Sequence, residues 1–170
     1  MTSRLPALVL LLLAAGCDSA IDAPDPGAFT ASLRGDASGD LAGAAALTLF
    51  DEGPPMPDGG FFQRAVVTLD GGGSTITLTF YEPPRARTYV LSERPSDGGA
   101  PTLLSARIDG DPYISRGGTV RVTRSTGTEV EGEFDARISC CGNSFANVPG
   151  KEARVQGRFV AVIGEGQESR

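Results

Sequence analysis

The chain of 170 residues has no histidine, no tryptophan and a single lysine, Lys151, among its 15 basic residues. Without histidine there is no Ser-His-Asp or Cys-His catalytic arrangement and no imidazole metal site. The side chain that most often moves protons near neutral pH is missing as well. With no tryptophan and only 3 tyrosines, few rings are present on which a sugar face could stack. Positive charge is also scarce: 21 acidic residues outnumber the 15 basic ones, for a net charge of −6. Phosphate binding needs a basic face, so nucleic acid is excluded as a partner. No polybasic stretch is present to attract anionic lipid either.

Long apolar runs and helices are lacking too. The longest apolar stretch, LPALVLLLLAA, covers 5–15, whereas a membrane-spanning helix needs roughly 20 such residues. Beyond it no segment sustains helical periodicity. The 23 glycines and 12 prolines cluster between short apolar segments, which is the composition of turn-rich β-structure.

The apolar stretch has the length and position of a signal-peptide core, behind a short leading segment that carries Arg4. It ends at Ala14-Ala15-Gly16-Cys17, which resembles the lipobox of bacterial lipoproteins. That family usually has Leu, Val or Ile where Ala14 stands. The resemblance implies that a diacylglycerol is attached to Cys17 and that residues 1–16 are then removed. The following DSAIDAPDPG is polar, carries Pro24 and Pro26, and has no periodicity. Residues 17–27 therefore read as a flexible linker between membrane and domain. Two or three acyl chains suffice for stable anchoring where one does not. The expected location is the cell envelope, outside the cytoplasm, with the membrane as partner through the lipid.

Residues 28–164 read as a single all-β domain, and 165–170 as a disordered tail. Phe29, Ala31 and Leu33 alternate with Thr30, Ser32 and Arg34, marking a first strand. Further strands are expected at about 41–50, 61–69, 75–80, 88–92 and 104–108. Turn residues separate them, including Asp70-Gly71-Gly72-Gly73 and Asp109-Gly110-Asp111-Pro112. After the Gly117-Gly118 pair come three more, at about 119–125, 129–139 and 152–163. About nine short strands at this spacing describe an antiparallel β-sandwich or barrel with a mostly meander order.

The last three strands permit a sharper expectation. Glu129, Glu131, Glu133, Asp135 and Arg137 share one face of 129–139, opposite Val130, Phe134, Ala136 and Ile138. Arg121 precedes this strand, and Arg154 and Arg158 follow it. Placing the acidic strand between the two Arg-bearing ones makes opposite charges neighbours, at roughly 0.2–1 kcal/mol per pair. An antiparallel meander over 119–163 is therefore expected, with 129–139 in the middle.

Three segments also resemble small β-rich lipoproteins of environmental bacteria. They are the opening Phe29-x-Ala31-x-Leu33-x-Gly35, the later Gly118-Thr119-Val120-x-Val122-Thr123, and the closing Gly157-x-Phe159. That resemblance implies fold and location, and no particular activity.

Few residues invite chemistry. Glu131 and Glu133 are the nearest to a glycosidase-like carboxylate pair, but regular alternation makes them a solvated charged face. Asp109, Asp111 and the acidic loop 51–58 suggest calcium only faintly. The fixed ligand spacing of a calcium loop is missing, and Asp-Gly turn chemistry accounts for them. The glycine pairs do not join strand to helix, so they are hairpin turns and not phosphate loops.

Cys140 and Cys141 are the only thiols besides Cys17. Their Cα atoms are about 3.8 Å apart across a trans peptide, below the usual disulfide range of roughly 4.4–6.8 Å. Outside the cytoplasm oxidation is nevertheless favoured. Three states stay open: a vicinal disulfide, two free thiols, and bridging to another molecule.

The reading is a lipid-anchored envelope β-domain with a structural or interaction role, not an enzyme, and with no cofactor or metal. Its partner would be an envelope protein. The alternative is a lipocalin-like carrier of a small apolar ligand. That reading expects a cavity of several hundred Å³, lined by residues such as Ile76, Leu78, Phe80, Phe134 and Phe159.

Overall fold

A computed structural model describes residues 23–52, 62–92, 102–141 and 150–164. The signal segment 1–16, Cys17, most of the linker, most of the acidic loop 51–58 and the tail 165–170 lie outside the described residues. Nine strands are present: β1 (Ala28–Gly35), β2 (Gly39–Glu52), β3 (Phe62–Gly71), β4 (Ser74–Phe80) and β5 (Arg87–Val90). They continue with β6 (Leu103–Ile108), β7 (Asp111–Ser125), β8 (Glu129–Cys140) and β9 (Lys151–Ile163). No helix occurs among the described residues.

All nine join one sheet in the order β5-β7-β6-β4-β3-β2-β1-β9-β8, and β7 also pairs with β8. That pairing returns the last strand to the second and closes an eight-stranded antiparallel barrel, with β5 outside the closed ring. The choice between sandwich and barrel is thus decided in favour of the barrel. Neighbours follow chain order almost throughout. The exception is β5, which leaves the gap between β4 and β6 and lies along β7. Residues 111–114 of β7 pair with β6 and residues 119–122 with β5, so the two short strands share one long edge.

Alternation sets the two faces. In β4 every second residue, Ser74, Ile76, Leu78 and Phe80, is buried, with Thr75, Thr77 and Thr79 between them on the outside. Phe29, Leu47, Val67, Leu104, Val120, Phe134, Val155 and Phe159 belong to the same inward-facing cluster. Tyr89 brings β5 into that core, packing edge-on against Phe80 at 5.1 Å between ring centres. Ile76, Leu78, Phe80 and Phe159 are 0 % exposed and Phe134 3 %. No space the size of a water molecule borders the first four.

The acidic strand lies between its basic neighbours, as its charge pattern required. β8 pairs with β7 along one edge and with β9 along the other. In this register Arg121 and Arg158 both face Glu133 directly. Arg124 reaches Glu131 at 3.1 Å, and Arg154 holds both oxygens of Asp135, at 2.7 and 2.5 Å.

On the inner face of the same two strands, aromatic rings lie over glycines. Phe134 faces Gly157, and Phe159 faces Gly132. A β-carbon at Gly157 would come within 2.7 Å of the Phe134 Cζ, and one at Gly132 within 3.0 Å of the Phe159 Cζ. Each ring thus fills the space a side chain would take on the opposite strand, a device that also lets a sheet curl into a barrel.

One turn expectation changes. Gly117 and Gly118 do not precede β7 but lie inside it, at a register shift between Ser115 and Gly117. Their φ angles of 144° and 133° are open to glycine and strained for other residues. A side chain at Gly118 would also strike the Asp135 carbonyl oxygen at 2.2 Å. Arg116, the residue skipped at that shift, makes a β-bulge directly before the glycine pair, which bends a strand and increases its twist.

Gly157→Ala should therefore destabilise the domain by about 1–3 kcal/mol through overpacking. Thr77→Ala, on the outer face, should stay within about 0.5 kcal/mol of the parent. Chemical denaturation followed by circular dichroism measures both. Equal stability of the two variants would remove the ring-over-glycine contact as a constraint.

Candidate functional site

A concavity lies on the outside of the barrel. It is a groove of about 890 Å³ that crosses β2, β1, β9, β8, β7 and β5. Its walls follow directly from register. One wall is a cross-strand row, Ala42–Thr30–Arg158–Glu133–Arg121–Thr88, in which each residue opposes the next. The other, two residues along each strand, is Asp40–Ser32–Gln156–Asp135–Thr119. Between the rows the lining includes Leu41, Ala31, Gly157 and Phe134. Ala31 and Phe134 are buried, so they border the groove with their backbone.

Dimensions follow from strand geometry. Residues i and i+2 of a strand are about 6.7 Å apart, and six strands at about 4.8 Å spacing span roughly 24 Å. The groove is long and narrow. Its walls are small at β1 and β2, where Thr30, Ser32 and Ala42 stand, and tall where Arg121, Arg158 and Glu133 stand.

The charges along it are paired. Glu133 lies 3.4 Å from Arg121 and 4.0 Å from Arg158. Asp135 accepts hydrogen bonds from Arg154 and, at 3.0 Å, from Gln156. The Arg154 hydrogen bonds hold the Asp135 carboxyl below the usual aspartate range, against the opposing effect of its partial burial. Ionised and held by arginine, Asp135 lacks the raised pKa that a general acid requires. Glu131 and Glu133, the nearest carboxylate pair in the sequence, are each in an ion pair with an arginine, Arg124 at 3.1 Å and Arg121 at 3.4 Å.

A second cluster closes one end of the barrel. The Cys140 and Cys141 sulfurs are bonded to each other, with Cα atoms 3.8 Å apart. Cys141 takes a φ of 64°, which is uncommon for a residue with a side chain. Cys140 ends β8 opposite Lys151, the first residue of β9. Lys151 donates a 2.5 Å hydrogen bond to the Asp111 carboxylate, which raises the lysine pKa. Asp109 sits apart from this cluster in the turn between β6 and β7.

Compared with family models, curated proteins and solved structures, the chain matches none of them. Its groove has therefore to be read from its own residues.

Of the residues singled out in the sequence, Arg121, Glu133, Phe134, Asp135 and Arg158 border the groove, while Cys140 and Cys141 mark the barrel end. Cys17 lies outside the described residues. Thr30 and Ser32 read in the sequence only as outward residues of the first strand, and Asp40 and Gln156 are not singled out there as site residues. The only signal for them was that short polar residues on β1 and β2 align with long ones on β8 and β9, and this needs the register.

Asp135 sets an acid limit on stability. Its folded pKa lies below the unfolded value, so its contribution is complete above roughly pH 4 and disappears as pH falls through the lower folded value. The melting-temperature difference between the parent and Asp135→Asn should be level from pH 6 to about pH 5 and shrink only as the pH falls below about 4, towards pH 2.5. Curves that stay parallel over that range would deny the Arg154 pairing any such role.

Proposed function

We propose that this protein is a lipid-anchored β-barrel of the cell envelope, held at a membrane through Cys17, that binds an extended segment of another envelope protein in its outer groove. The observation that carries the reading is where space is found. The inward-facing Ile76, Leu78, Phe80 and Phe159 have no exposed surface, whereas a groove of about 890 Å³ lies on the outer face. A groove roughly 24 Å long suits an extended chain of about seven residues at about 3.3 Å each. The alternating Arg and carboxylate walls offer charge-assisted hydrogen bonds to both donors and acceptors of such a chain.

The carrier reading draws less support. It needs a cavity against Ile76, Leu78, Phe80, Phe134 and Phe159, and of these, four show no exposed surface and Phe134 is 3 % exposed. The barrel topology is compatible with that reading, but the packing does not favour it.

Anchoring is tested on the mature N-terminus. Mass spectrometry should find a diacylglycerol thioether on Cys17, and Cys17→Ala should abolish labelling by radioactive palmitate. An unmodified Cys17 in the parent protein would overturn the anchor.

The groove is tested by a photo-crosslinking amino acid in the intact envelope. Placed at Thr30 it should give a discrete adduct, which the combined Arg121→Glu and Arg158→Glu changes should reduce about tenfold or more, as expected for lost charge-assisted contacts. At Thr77, on the opposite outer face, it should give none. Equal adducts at both positions, or none at Thr30, would overturn the interaction surface.

A further inference from the structure

The end of the barrel at Asp111, Cys140 and Cys141 supports a second site, independent of the groove. The three reach it from different directions. Asp111 opens β7 immediately after the Asp109-Gly110 turn, Cys140 closes β8, and Cys141 follows it into the left-handed backbone region. Their ligand atoms, one carboxylate oxygen and two sulfurs, all lie within 4.8 Å of one another. Cys140 is buried while Cys141 is exposed, so the cluster has one protected side and one open to solvent.

We infer that this end of the barrel is a redox-gated site for a thiophilic divalent cation of the Zn²⁺ type, formed by Cys140, Cys141 and Asp111 when the vicinal disulfide is reduced. In the oxidised protein both sulfurs are bonded to each other and have no thiolate to offer. A dithiol reductant supplies two electrons and two protons. The S–S bond breaks, two thiols form, and the reductant becomes a disulfide. Binding the cation then displaces the two thiol protons to solvent, leaving two thiolates and a carboxylate around the metal.

The chemistry of this donor set is specific. Thiolates select soft and borderline cations, and Zn²⁺ accepts sulfur and carboxylate oxygen together, at about 2.3 Å and 2.0–2.2 Å. In a tetrahedral shell those bonds place neighbouring donors just under 4 Å apart. The carboxylate oxygen lies within 4.8 Å of both sulfurs, so closing on the metal asks for a movement of no more than about 1 Å on the bond lengths above. Reaching the same separation between the sulfurs requires rotation of the exposed Cys141 side chain. Asp111 already faces a positive charge, the Lys151 ammonium, so the metal replaces one cation by another at that carboxylate. Three protein donors leave the fourth position to solvent, an open rather than a closed site.

The full mature chain, purified in detergent, is reduced, freed of reductant without oxygen, and titrated with Zn²⁺ against a chromophoric chelator. The reduced protein should take up one equivalent, and the oxidised protein should take up none at this site. Cys140→Ser and Cys141→Ser should each abolish the uptake, and Asp111→Asn should weaken it about tenfold or more. Circular dichroism of each variant reports folding, and the exposed Cys141 carries the test if Cys140→Ser does not fold. Equal uptake by the oxidised protein, or uptake unchanged by Cys141→Ser or Asp111→Asn, would overturn the site.

Discussion

β8 has to satisfy its backbone on both edges, and the rest of the structure depends on how it does so. Pairing with β7 on one side and β9 on the other continues the chain's meander, and β1 beside β9 joins its end to its start. Closure removes the row of unpaired amides and carbonyls that an open sheet presents at its edges. It also demands strong curvature. The inner face of β8 and β9 meets that demand with Phe134 over Gly157 and Phe159 over Gly132, where a side chain on either glycine would collide with the opposing ring. The bulge at Arg116, directly before Gly117-Gly118, turns β7 along the other edge of β8.

The outer face of the same strands answers a different requirement. Four acidic residues at alternate positions of β8 would repel one another on an isolated strand. Arginines from both neighbours compensate them, through Arg121, Arg124, Arg154 and Arg158. Exposed pairs of this kind add little stability individually, and their effect is more on register than on energy. A slip of one residue would turn the carboxylates into the core and Phe134 to solvent. The register that results also aligns short residues of β1 and β2 with the long ones of β8 and β9, and the groove between the two rows is its by-product. Core packing and the proposed interaction surface are thus two faces of one alignment.

The two sites differ in how they meet their surroundings. The groove is open, roughly neutralised by its own pairs, and suited to a partner that exchanges hydrogen bonds for water. The cysteine end is small and chemically particular, with one buried sulfur and one exposed. Neither needs histidine.

Much of the architecture was legible in the chain. The clean alternation of Thr75–Phe80 and the Glu129–Ile138 pattern state which side chains face inward, because side-chain direction in a strand repeats every two residues. The charges around Glu133 identified the neighbours of β8, because they are complementary only in that order. The signal-like segment and Cys17 likewise rest on local chemistry that needs no fold. Three matters were not local. Gly117-Gly118 has the composition of a turn and lies inside a strand just after a bulge, since only the pairing partner decides whether a strand continues through it. β5 could have lain between β4 and β6, and its place beside β7 depends on the length of β7's free edge. Closure, and with it the groove from Asp40 to Thr88 and the approach of Asp111 to Cys140, joins residues far apart in sequence. Local periodicity states which way each side chain points, while the tertiary structure alone decides which other strand it points beside.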